Sequence, residues 1–96
     1  MHNKDVTPIT LQEYEEEVLF RMYDNQIIGN NYKPIQKVAA IIKWSEIQRK
    51  FGVRKKFSSV FRHLISKGYV DDHGKRGKAS SLSRMGVLYV IGKKQD

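Results

Sequence analysis

The sequence predicts a small α+β domain, mainly helical: a three-helix core, then a β-hairpin, then a C-terminal helix. Three observations carry that expectation. Apolar residues recur at three- and four-residue spacing in separate segments, as helices require. Beyond residue 68 the period changes to short extended runs on either side of the Gly- and Lys-rich stretch 73–78. The chain has 96 residues, 40% of them hydrophobic, which is enough for one core and too few for a second.

Residues 1–8 are polar and carry Pro8, so they read as a loose lead-in. Thr10 and Glu13 fit a capping box, and Ile9 can staple against Tyr14. Glu13, Glu15, Glu16 and Glu17 then favour the positive end of a helix dipole. Leu11, Tyr14, Val18, Leu19 and Met22 give the buried stripe of a helix over 11–26, closed before Gly29-Asn30-Asn31. In 32–44, Pro34 can open a short helix through Ile35, Val38 and Ile42, or the segment can end in a short strand. The preferred reading is a helical start followed by an extended piece at 42–44.

Ser45 reads as the N-cap of the next helix, with Gln48 completing a second capping box. That helix runs over 46–51, exposes Arg49 and Lys50, and stops at Gly52. In the third helix Phe57, Val60, Phe61, Leu64 and Ile65 form the apolar face. Its other side carries Lys55, Lys56, Ser58, Ser59, Arg62, His63, Ser66 and Lys67. Gly68 suits a left-handed cap, from which Tyr69 folds back on Leu64. Strands at 69–72 and 79–82 flank a loop whose tip holds Lys75, Arg76 and Lys78. Ser83 caps a final helix over 84–92, apolar at Met85, Val87, Leu88, Tyr89, Val90 and Ile91. The domain is thus expected over 9–92, with 93–96 frayed.

The formal charge is +8, and its placement says more than its sum. Residues 1–32 hold Lys4 and Arg21 against six acidic side chains, a balance of −4. Residues 33–94 hold sixteen basic side chains against Glu46, Asp71 and Asp72, a balance of +13. Seven cations and no acidic residue fall within 49–67, a pattern suited to a polyanion such as nucleic acid. The acidic first helix is expected to face away from that partner.

Several functions are excluded by composition. With no cysteine, thiolate zinc sites, disulfide scaffolds and thiol catalysis drop out. No apolar run approaches the roughly 18 residues of a membrane span, and the N-terminal ten residues lack a signal core. His63 and Asp71-Asp72-His73 lack metal-ligand spacing, because adjacent strand residues point to opposite faces. No phosphate-binding glycine loop or catalytic constellation is present, so neither enzyme activity nor a cofactor is expected. Phe51, Phe57, Phe61 and Tyr69 fall at core spacing, which argues against an exposed stacking platform for single strands. Trp44 reads as a core plug.

Two short helices, a tight turn and a hairpin make a helix-turn-helix with a wing. "WSEIQRKFGV" looks like the first helix and turn of that motif. "VFRHLISKGYV" is similar to the end of a recognition helix leading into the wing. "SLSRMG" resembles the L-T-x-x-G with which many prokaryotic and archaeal regulators of the multiple-antibiotic-resistance type leave the wing. The chain therefore resembles winged-helix DNA-binding domains. The resemblance implies double-stranded DNA as partner and Lys55, Lys56, Ser58, Ser59, Arg62 and His63 as groove contacts. Arg62 alone among them offers a bidentate fork for guanine. Lys75, Arg76 and Lys78 would follow the backbone or enter the minor groove, and Lys43, Arg49, Lys50 and Arg54 would anchor phosphates. The apolar last helix, through Leu88, Tyr89 and Ile91, suggests a homodimer matching operator symmetry, burial between the first helix and the wing being the alternative. A dimeric transcriptional regulator in the cytoplasm, associated with the nucleoid and without an evident effector, is the expectation. A winged-helix protein-docking module and a double-stranded RNA binder are the alternatives.

Overall fold

The structure, a computed structural model, describes residues 11–73 and 79–94. Along the chain come α1 (Glu13–Asp24), β1 (Lys33–Pro34), α2 (Ile35–Ile41), α3 (Trp44–Phe51), α4 (Phe57–Ser66), β2 (Val70–His73), β3 (Ala79–Leu82) and α5 (Arg84–Lys94). The strands form an antiparallel sheet in the order β1-β3-β2. Val70 lies opposite Leu82 and His73 opposite Ala79, while Lys33 pairs with Ser80. The core gathers Val18, Leu19 and Met22 of α1, Ile47 of α3, Val60, Phe61 and Leu64 of α4, and Val70, Leu82 and Val90.

The first helix begins later than its sequence suggests. Gln12 is extended (φ −68, ψ 155) and takes the N-cap, so Glu13 is the first helical residue and cannot serve Thr10 as a capping-box partner. Glu15 fills that role, accepting the Gln12 backbone N–H at 2.9 Å. Thr10 and Ile9 lie outside the described residues. The helix also ends at Asp24 and not at 26. Gln26 turns left-handed (φ 59), and the Ile27 N–H donates to the Met22 carbonyl at 2.9 Å, closing a Schellman motif.

Residues 32–44 differ most from expectation. The extended piece precedes the helix: Lys33 and Pro34 add a third strand to the hairpin, with proline tolerated on that edge. No strand forms at 42–44. There the chain turns through Lys43, left-handed at φ 58 and ψ 60, and α3 already begins at Trp44. Lys43 is the N-cap because its carbonyl accepts the N–H groups of Glu46 (2.9 Å) and Ile47 (3.3 Å). Ser45 therefore sits inside the first turn and caps nothing.

From α4 onward the chain follows its sequence closely. Gly68 is left-handed (φ 87), and the Tyr69 N–H reaches the Leu64 carbonyl at 3.1 Å. Ser83 joins this end of α4 to the start of α5. Its hydroxyl donates to the Gly68 carbonyl and accepts the Gly86 N–H at 3.0 Å. A Cβ on Gly86 would stand 2.2 Å from the Tyr69 carbonyl oxygen and 3.0 Å from Leu82. Only glycine lets α5 lie this close. The final helix continues past the expected limit of 92, because Lys93 approaches Glu16 at 3.5 Å and Lys94 bonds Asp24 at 2.8 Å.

Candidate nucleic-acid interface

The face of α4 turned from the core carries Ser58, Ser59, Arg62, His63 and Ser66, all exposed. Its inner face is anchored by an aromatic run: the Trp44 and Phe57 rings lie 5.2 Å apart and those of Phe57 and Phe61 4.6 Å apart. Trp44, Phe57, Phe61 and Tyr69 are buried and Phe51 is half-buried, so their packing role holds. Arg54, Lys55 and Lys56 occupy the turn into α4, with Lys56 as its N-cap.

The cations differ in how free they are. Arg49, Arg54, Lys56 and Arg62 are exposed and form no ion pair among the described residues. The Lys55 ammonium instead donates to the Tyr14 hydroxyl at 3.3 Å, and Lys50 lies over the Phe51 ring. Lys43 is exposed at the α2–α3 turn. Lys75, Arg76 and Lys78 lie outside the described residues.

His63 is held by Glu15, a first-turn acid of α1. Its Nδ1 lies 2.6 Å from Glu15 Oε2, on a carboxylate that is 1% exposed. The acidic helix α1 is thus in contact with α4 through Glu15. Its other acids are also engaged. Glu16 accepts the Tyr89 hydroxyl, and Glu17 accepts Arg21 Nε at 2.8 Å. Arg21 Nη1 continues to the Ile42 carbonyl (2.9 Å) and to Glu46 (3.0 Å). The bond to Glu17, opposed by burial and helped by Glu46, holds the Arg21 guanidinium protonated more firmly than usual. Burial, then the bond to Glu16, push the ionisation of Tyr89 upward.

At the base of the hairpin, His73 stacks on Tyr32 with ring centroids 4.4 Å apart. The Ser81 hydroxyl donates to the Gly29 carbonyl at 2.8 Å, so His73 Nε2 must be the donor in its 2.9 Å bond to Ser81. That nitrogen is committed, which removes it as a metal ligand in this arrangement. On α5, Leu88 and Met85 are exposed (57% and 53%). Ile91 is half-buried, while Tyr89 turns inward against Tyr69. Met85 lies one turn from Leu88 and shares its exposed face, which no sequence pattern distinguishes from the other apolar positions of this helix.

The helix order, the antiparallel sheet and the hairpin following α4 define a winged-helix fold. The crystal structure of SSV1 F-93 is similar to this chain, with a TM-score of 0.55 and 23% sequence identity over 88% of this chain and 86% of that one. At that identity the likeness is one of fold. No family model matches the chain, and no curated protein matches it in sequence. Among the described residues, no helix is long and apolar enough to cross a membrane.

Proposed function

We propose that this chain binds double-stranded DNA with α4 in the major groove, as a sequence-specific transcriptional regulator. The observation that carries the reading is the exposed set Arg54, Lys56 and Arg62, without an ion pair among the described residues, together with exposed Ser58 and Ser59 and with no acidic residue between them. Lysine and arginine supply phosphate contacts, and serine and arginine supply base-edge hydrogen bonds. Arg62 is the reader of guanine; Lys56, Arg49, Arg54 and Lys43 are backbone contacts. Lys50 and Lys55 join them by leaving Phe51 and Tyr14, and Lys75, Arg76 and Lys78 extend the contact along the wing. The fold neighbour supports the arrangement of helices on which this reading depends.

Two chains are proposed to pair through the outer face of α5, centred on Leu88 and flanked by Ile91 and Met85. Tyr89 supports that helix from inside. The likeness of "SLSRMG" to the wing exit of regulators of the multiple-antibiotic-resistance type favours a regulator of that kind, acting in the cytoplasm on the nucleoid.

Titration of salt against a random duplex tests the central point. A protein neutralising about 6–10 phosphates loses roughly 10³–10⁵ in affinity between about 50 and 200 mM salt. No duplex binding at low salt would overturn the reading, and equal competition by double-stranded RNA would transfer it to a shape-reading RNA binder. Arg62→Ala is expected to erode discrimination at one base pair by about 1–3 kcal/mol without changing the salt slope.

A further inference from the structure

Glu15 is an unusual residue to bury. Its two carboxylate oxygens are divided between two donors from different places in the chain. Oε1 accepts the Gln12 backbone N–H at 2.9 Å, and Oε2 meets His63 Nδ1 at 2.6 Å. A carboxylate has no proton to give, so Nδ1–H is the donor in the second contact. The imidazole is thereby fixed about its ring axis, with Nε2 as its free edge. Half of the His63 side chain remains in solvent (51%), on the same exposed face as Ser59 and Arg62.

We infer that Glu15 is a positioning residue for DNA recognition, acting through His63 so that Nε2 meets the duplex in a preset orientation. The inference rests on the DNA-binding reading and adds to it a residue outside the interface. An unrestrained imidazole must give up its side-chain freedom on binding. One already held by a buried carboxylate does not, which is how supporting residues sharpen a contact. The same logic makes outer partners of metal-bound histidines matter.

The division of oxygens supplies the test. Glu15→Gln keeps one acceptor oxygen, sufficient for the N-terminal cap, and glutamine is an accepted residue at that position. It then turns an amide NH₂ toward Nδ1, which can accept it only in the other tautomer, so that Nε2 changes from acceptor to donor at the duplex. Selection from a random pool supplies the preferred duplex, and a scrambled duplex of equal composition is the control. His63→Ala is expected to reduce the preference at least about fivefold, with little effect on binding to the scrambled duplex. Glu15→Gln should share most of that loss, and the double variant should lose no more than His63→Ala alone. The ¹⁵N imidazole signals of the free protein should show His63 protonated at Nδ1 in the wild type and lose that preference in Glu15→Gln. Equal weakening on both duplexes, or additive losses in the double variant, would show Glu15 to be structural only. Should Glu15→Gln fail to fold, His63→Gln provides the same ratio from a half-exposed site, and an unchanged ratio there overturns the proposal. A wild type that selects its duplex while both variants select it equally well leaves DNA binding standing and removes the positioning role. A wild type that binds no duplex removes both.

Discussion

The α4–β2–α5 junction and the α2–α3 elbow are both sharp reversals, yet they are built from opposite materials. At the junction the awkward positions belong to residues suited to them. Gly68 takes the left-handed cap, Ser83 bridges two helix ends, and Gly86 leaves room for the Tyr69 carbonyl. At the elbow the left-handed position belongs to Lys43, for which that conformation costs about 1–2 kcal/mol. The elbow is stabilised from outside, by Arg21 reaching the Ile42 carbonyl from α1. Local fitness holds one bend and a distant clamp holds the other.

Four substitutions separate these two kinds of support. Gly86→Ala should cost the most, about 3 kcal/mol, because the added methyl meets a backbone oxygen that cannot rotate away. Urea denaturation measures this, and a loss below about 1 kcal/mol would mean that α5 shifts freely. Arg21→Ala should follow at about 2 kcal/mol, since it strips a charged donor from the Ile42 carbonyl and from Glu17. Amide exchange should then accelerate at the elbow ahead of the junction. Gly68→Ala should cost about 1–2 kcal/mol through its positive φ alone, because Met85 is no closer than ordinary contact. The reverse change at the elbow, Lys43→Gly, should raise the denaturation midpoint by the equivalent of up to about 1 kcal/mol. If Lys43→Gly destabilised instead, its side chain would have to be supporting the bend.

The same contrast explains what could be read from the sequence. The register of α4, its glycine cap, both hairpin strands and the Ser83 cap follow from residue types with narrow preferences. So did the free face of α4, since Phe57, Val60, Phe61 and Leu64 fix which side Ser58, Ser59 and Arg62 occupy. Residues 32–44 contain no comparable signal. Lys33-Pro34 became a strand because β3 offered an edge, and Ser45 lost its cap because Lys43 turned first. The Glu15–His63 contact joins residues 48 apart in sequence. In sequence Glu15 is indistinguishable from any first-turn acid facing a helix dipole, so nothing local signals its reach to α4.

The order of the acids in α1 has a consequence for how the chain can vary. Glu15, Glu16 and Glu17 are consecutive, and each step along a helix turns the direction by about 100°. Glu15 thereby meets α4, Glu16 meets α5, and Glu17 holds the arginine that reaches the elbow. The helix acts as a key whose three teeth fit three separate wards. Inserting one residue between Glu17 and Val18 would leave every side chain present and turn all three away from their partners together. Point changes along α1 should therefore be far better tolerated than any change in its length.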